Sequence, residues 1–300
     1  MQAQRITPQQ HDRRPARTGA RIVAIASGKG GVGKSNISVN LSIRLTQMGR
    51  QVILVDADMG LANDDVLCGL SSSWNLSHIL DGQARTVHDV MVIGPGGFRL
   101  LPGPGGFDGF DELTGSQRNR LAAALTELRQ AADLLLVDAA AGIGPGVINV
   151  ARLADMVLVV ATPEPTSIAD AYGLIKTIHR RAPECDLAVL INMAAGGEGE
   201  GRKVFTRLSL VARRFLKREL FYAGTVPLDH AVRRAVKARS PFVLAEPRCR
   251  ASKAMTRLSH MMDRHSVENR NGQMRWARFF GRLFRNGQRR AATSSDHTKA

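Results

Sequence analysis

The chain has 300 residues, is 44% hydrophobic and carries a formal charge of +16. That is enough apolar material for one full α/β core with tails, and its longest apolar runs fall short of the ~18 residues that a membrane span requires. Three cysteines far apart, Cys68, Cys185 and Cys249, argue against a disulfide framework or a paired-cysteine metal site and for a reducing compartment. The positive charge calls for an anionic partner: nucleic acid, an anionic membrane or an acidic protein surface.

Residues 1–20 are polar and basic, with no apolar core, so they read as a flexible segment and not a secretory signal. Residues 22–26 then form a short buried strand that feeds Gly28-Lys29-Gly30-Gly31-Val32-Gly33-Lys34-Ser35. This is a P-loop. Its glycines turn backbone N–H groups inward onto phosphate oxygens, Lys34 sets a point charge on the β- and γ-phosphates, and Ser35 offers a hydroxyl to Mg²⁺. In the next stretch Ile37, Val39, Leu41, Ile43 and Leu45 alternate with polar residues, which taken alone spells a strand. The phosphate site needs a helix N-terminus, and Gly49 can stop a helix, so a helix is expected there. Further strands are expected at 52–56, 98–102, 134–138, 156–161, 187–192 and 221–226, with helices at 118–132, 167–180, 203–217 and 230–238. Residues 94–109 read as a Gly/Pro-rich loop around one short strand. The alternation predicts a doubly wound, mostly parallel sheet with helices on both faces, spanning 21–262.

Two acidic motifs fall where such sheets bind ligands. Asp58, after the strand at 52–56, is placed to orient an attacking water. Asp138, at the end of the strand at 134–138, suits a Walker B-like role in holding Mg²⁺. After a linker at 263–273, residues 274–287 spell an amphipathic helix: Trp276, Phe279, Phe280, Leu283 and Phe284 share one stripe, with arginines opposite. That pattern reads as an interfacial membrane anchor. Residues 288–300 read as a disordered tail.

Residues 27–36, the Asp56-Ala57-Asp58-Met59-Gly60-Leu61-Ala62-Asn63 run, and Asp138 with Ala141-Gly142-Ile143-Gly144 resemble the MinD/ParA family of deviant Walker A ATPases, and in particular its flagellar-number branch, FlhG/FleN. Glu164-Pro165-Thr166-Ser167, Asn192-Met193-Ala194 and Val226-Pro227 extend the likeness. The resemblance implies an ATP- and Mg²⁺-dependent, slowly hydrolysing homodimer. Lys29 would reach the partner's phosphates, nucleotide contacts would run through Asn36, and Asn192 and Pro227 would touch adenine. It also implies reversible association with the anionic inner-membrane surface from the cytoplasm. The implied partners are the flagellar GTPase FlhF and/or a flagellar transcription regulator, with direct nucleic-acid binding not expected. The FlhF-stimulating amino-terminal motif is barely present, and Asp64 stands where relatives often carry an apolar residue. A ParA-like DNA-partitioning ATPase or a MinD-like division-site ATPase is the alternative. An iron–sulfur carrier lacks its paired cysteines, and a tyrosine autokinase lacks its tyrosine-rich tail.

Overall fold

The computed structural model describes residues 19–58, 63–103 and 113–268. Residues 1–18 of the expected basic segment 1–20, the Met59–Ala62 stretch and the amphipathic helix with Trp276, Phe279, Phe280, Leu283 and Phe284 lie outside the described residues. In chain order the elements are β1 (Arg21–Ser27), α1 (Lys34–Gln47), β2 (Val52–Ala57), α2 (Asp64–Leu67), α3 (Leu76–Leu80), β3 (Val92–Ile93), β4 (Arg99–Leu101), α4 (Gly115–Ala131) and β5 (Leu134–Ala141). There follow α5 (Pro145–Leu153), β6 (Met156–Ala161), α6 (Pro165–Arg181), β7 (Asp186–Ala194), α7 (Gly197–Leu216), β8 (Phe221–Pro227), α8 (His230–Lys237), α9 (Phe242–Ala245) and α10 (Arg250–Glu268).

The strands form one sheet in the order β3-β4-β2-β5-β1-β6-β7-β8, parallel except for the β3–β4 hairpin. The chain runs from β1 to β2 on one side and later returns through β6, β7 and β8 on the other. That reversal opens a crevice beyond the carboxyl end of β1. Alternate residues of each strand feed two cores. Ile22, Ala24 and Ala26 join the layer under α3 to α7, while Val23 and Ile25 join the layer under α1, α9 and α10.

The ambiguous segment after the P-loop is a helix, and its alternation has a physical reason. Ile37, Val39, Leu41, Ile43 and Leu45 are buried, but so are Ser38, Asn40 and Ser42 between them. The helix lies between the sheet and α10, so it is buried nearly all round. Its polar residues are satisfied within the layer. Ser42 donates to the Ser38 carbonyl one turn back at 2.8 Å, the Asn40 amide donates to Asn36 O at 2.8 Å, and the Ser38 hydroxyl reaches a carboxylate on the strand beneath. Asn40 Oδ1 also accepts the Val243 N–H at 2.9 Å, which pins α9 onto α1.

Several boundaries depart from the expectation. The packed domain begins by Ala20, one residue before the expected 21 and just ahead of β1; Ala20 is buried and donates its N–H to Arg129 O at 2.7 Å. Helix α7 starts at Gly197, six residues before the expected 203, because its glycines let the helix lie against β8. A Cβ on Gly201 would sit 1.8 Å from Thr225 Oγ1. Helix α10 continues to Glu268, past the expected boundary at 262, since extending an established helix needs no new nucleus. Arg50, just beyond α1, grips Asp263 on α10 through both carboxylate oxygens at 2.6 and 3.1 Å. The hairpin strand β3 and the helices α2, α3, α5, α9 and α10 add to the elements the pattern marked out.

The buried polar row on α1 yields a stability test. Asn40→Ala leaves the Val243 N–H unpaired inside the core, a loss of about 1–3 kcal/mol. Gln47→Ala, on the exposed end of the same helix, should stay within about 0.5 kcal/mol. Urea denaturation that finds the two substitutions equal would contradict this account of α1.

Candidate functional site

Period-two alternation puts Leu54 and Asp56 of β2, and Leu136 and Asp138 of β5, on the sheet face that α1 covers. The register sets Asp56 directly beside Asp138. The expected strand end at Asp138 is corrected here: β5 runs on to Ala141, pairing Ala139 with Ala57 and Ala141 with Ser27. The small side chains 139–141 are held in the ladder by neighbours on both sides, so Asp138 is buried mid-strand and not poised at a turn. Gly142 closes the strand, donating its N–H to Ser27 O at 2.8 Å.

Helix α1 begins on top of this pair. Gly33 caps it at φ 86°, a left-handed conformation that glycine adopts without strain. The helix has no acidic residue in its own first turn, and its positive end follows the exposed Lys29–Gly31 stretch of the loop. Lys34 points inward. Its Nζ lies 3.0 Å from Asp138 Oδ1, and both groups are buried. Ser35 Oγ donates to Asp138 Oδ2 at 2.6 Å, and Ser38 Oγ to Asp138 Oδ1 at 2.8 Å. Asp138 thus accepts one ammonium and two hydroxyl hydrogens.

Asp56 does different work. Its carboxylate accepts the backbone N–H groups of Asp58, Asn63 and Asp64, at 3.1, 3.0 and 3.3 Å. It therefore clamps the chain on both sides of residues 59–62 and holds Asp58, half-buried, just past the carboxyl end of β2. Asp64 is fully buried beside it, with ligand oxygens of Asp56, Asp64 and Asp138 all within 4.8 Å of one another. Burial, with Asp138 second, pushes the Asp56 carboxyl up to about 7. Burial, followed by Asp138 and Asp56, pushes the Asp64 carboxyl well above the usual carboxylate range.

Lys29 lies outside this cluster. Its Nζ meets Glu164 Oε2 at 3.3 Å and Thr166 Oγ1 at 3.2 Å, both at the start of α6. Asn192, at the end of β7, donates from Nδ2 to Val32 O at 2.8 Å and so braces the P-loop from behind. Pro227 stands beside it, paired with Ala194 at the end of β8. The sheet therefore gathers Lys34, Ser35 and Asp138, with Asp58 tied to the same strand ends through Asp56 and Asn192 bracing the loop from the flank. The sequence reading gave no role to Asp56 or Asp64. The signal for Asp56 was its position two residues before Asp58, on the strand face that carries Leu54. The signal for Asp64 was a charge where the resemblance leads one to expect an apolar side chain.

Known proteins resemble this chain in sequence and in fold. A family model described as an AAA domain matches residues 20–187. Antiactivator FleN of Pseudomonas aeruginosa is 42% identical over 242 residues, covering 81% of this chain and 86% of that one. The flagellum site-determining protein YlxH of Helicobacter pylori is 36% identical over 220 residues, covering 73% and 74%. Among solved structures, the MinC:MinD cell division protein complex of Aquifex aeolicus matches at a TM-score of 0.67 and 27% identity, over 81% of this chain and 95% of that one.

The raised Asp56 carboxyl gives a pH prediction. Its folded-state value, about 7, exceeds the ordinary 3.8, so the stability it contributes is full below about pH 4 and is lost as pH rises towards 7. Each pH unit in that window removes at most about 1.4 kcal/mol. The stability of the nucleotide-free wild type relative to Asp56→Asn should therefore fall between pH 4 and pH 7. Chemical denaturation across that range, giving parallel profiles for the two proteins, would refute the assignment.

Proposed function

Because the chain belongs to the MinD/ParA-family P-loop ATPases, in the branch of the flagellar regulators FlhG and FleN, we propose that it is an ATP-gated dimerisation switch that sets flagellar number and placement. One relative is named an antiactivator and another a flagellum site-determining protein, and the reading extends both roles to this chain. A flagellar transcription regulator and the GTPase FlhF are the partners it implies. The observation that carries the reading is the convergence of Lys34, Ser35 and Asp138, with Asp58 beyond them and a second lysine, Lys29, on the exposed rim of the loop.

Each residue has a part in phosphoryl transfer, which asks for position and neutralised charge more than covalent chemistry. The loop N–H groups and Lys34 bind the phosphates. Asp58 orients the attacking water. Lys29 adds charge stabilisation to the partner protomer's phosphates. Asn192 and Pro227 flank the adenine. Mg²⁺ is a hard cation that takes oxygen ligands, and the Ser35 hydroxyl, 2.6 Å from the Asp138 carboxylate, is a donor set of that kind. When bound, Mg²⁺ neutralises charge on the β- and γ-phosphate oxygens. Ser35 would hold it directly and Asp138 would orient the Ser35 hydroxyl.

The switch is tested with substitutions in the loop and after β2. Lys34→Ala should abolish binding of a fluorescent ATP analogue. Asp58→Ala should still bind it while hydrolysis falls about 100-fold or more. Light scattering should find Asp58→Ala dimeric with ATP and monomeric with ADP, and the further change Lys29→Ala should leave it monomeric in both. Equal mass with the two nucleotides would count against the switch.

Membrane association belongs to the same proposal. Among the described residues no helix is long and apolar enough to cross a membrane. The 274–287 segment would instead lie in the interface, its aromatic stripe buried and its arginines on anionic headgroups. One short helix anchors weakly, whereas two on a dimer gain roughly 10² or more in avidity. The ATP-bound protein should co-sediment with anionic liposomes, and Phe280→Glu or a chain ending at Gly272 should not. Sedimentation unaffected by truncation or by nucleotide would remove the anchor from the proposal.

A further inference from the structure

Asp64 is the one member of the acidic cluster without a structural task. Asp138 accepts from Lys34, Ser35 and Ser38, and Asp56 accepts three backbone N–H groups. Among the described residues neither carboxylate oxygen of Asp64 receives a hydrogen bond, although the residue is 0% exposed. A buried carboxylate left without a partner is unfavourable by several kcal/mol unless a proton or a cation satisfies it.

The surroundings favour a cation. The groups that face Asp64 are Asp56, Asp138 and Lys34, with Asp65 next in the chain. Three carboxylates against one ammonium leave two negative charges when ionised, the charge of one divalent ion. All the ligand atoms are oxygens, which suit a hard cation and offer nothing to a soft one. Their spacing fits as well. Oxygens on opposite sides of an ion are about 4.2 Å apart at Mg²⁺ distances and about 4.8 Å apart at Ca²⁺ distances. The three ligand atoms lie within 4.8 Å of one another as they stand.

We infer that Asp64, with Asp56 and Asp138, forms a binding site for a hard divalent cation, Mg²⁺ or Mn²⁺, that fills before nucleotide arrives. The inference deepens the nucleotide-site reading, on which it rests for its location alone. The ion so held differs from one carried in by the nucleotide on Ser35, because its ligands come from β2, β5 and the start of α2. Asp56 and Asp64 stand on the two sides of residues 59–62. A cation joining them to Asp138 would fix the end of β2 and set Asp58 in place ahead of ATP.

The test uses the full chain, stripped of nucleotide, and Mn²⁺ as the probe. Room-temperature electron paramagnetic resonance, which reads free Mn²⁺, should show one ion bound per chain. Asp64→Asn should weaken that binding at least about 10- to 100-fold, since losing a ligand costs no less than losing the group that supports one. Asp65→Asn, next to it but outside the cluster, should not. Mn²⁺ should also raise the wild-type melting temperature, by mass action on the folded state. Absence of Mn²⁺ binding by the wild type overturns the site without recourse to any variant, as does equal binding by wild type and Asp64→Asn. A fluorescent ATP analogue with Mg²⁺, applied to the same preparation, separates the two readings. A wild type that binds the analogue but not Mn²⁺ alone loses the cation site and keeps the ATPase reading. One that binds Mn²⁺ but not the analogue keeps the cation site and loses the other.

Discussion

The sheet's carboxyl end is organised by a single electrostatic problem: two carboxylates, Asp56 and Asp138, lie side by side across parallel strands and under a helix. Like charges in adjacent register repel, and burial removes the water that would screen them. The structure answers each differently. Asp138 is neutralised by Lys34 at 3.0 Å and capped by two serine hydroxyls, all from the first turns of α1. Asp56 has no ion-pair partner among the described residues and feels Lys34 only at a distance, and three backbone N–H groups supply its hydrogen bonds. The first solution fixes where α1 sits on the sheet, and hence where the P-loop points. The second fixes how the chain leaves β2, and hence where Asp58 stands.

These charges do not make the free protein more stable. Truncating Lys34 would strand Asp138 inside the protein, yet an apolar set of the same shape would hold α1 at least as well. The Asp56 carboxyl, pushed up to about 7, marks a group whose ionised form the fold disfavours. Such expense is common where a site must receive a highly charged ligand, because the surplus is relieved when the ligand or its ion arrives. The remainder of the core is built conventionally. Alternate strand residues fill two apolar layers, and the polar row Ser38, Asn40 and Ser42 is satisfied one by one.

Much of this was legible in the sequence because a P-loop imposes a strand before it and a helix after it. That constraint, and not periodicity, identified α1, whose alternating pattern spells a strand. Its serines and asparagine look like a solvent face and are buried against α10 and α9. The doubly wound sheet could be read from the recurring V/I/L runs. Extents were less legible where small residues are concerned. Ala139 to Ala141 and the glycines that open α7 read as loops, yet they are a strand and a helix turn: Ala139 and Ala141 pair with Ala57 and Ser27, and Gly201 leaves room for Thr225. The parts played by Asp56 and Asp64 were not readable at all. A carboxylate's neighbours across strands depend on register, and no local pattern states that Asp56 is beside Asp138.

The two lysines of the loop show how sequence proximity conceals unlike physics. Lys34 is buried and its partner is buried, so the pair cannot part without another anion or cation to replace each member. Lys29, five residues earlier, is exposed, and so is Glu164. An exposed pair of this kind contributes at most about 1 kcal/mol. Glu164 and Thr166 therefore hold Lys29 against α6 at little energetic depth, and a phosphate, with more charge and more acceptor oxygens than one carboxylate, would outcompete them. The same loop thus presents one lysine committed to its own protomer's site and one that is cheaply released. That difference in burial is what a protein needs if nucleotide binding within a protomer is to be followed by engagement of a second.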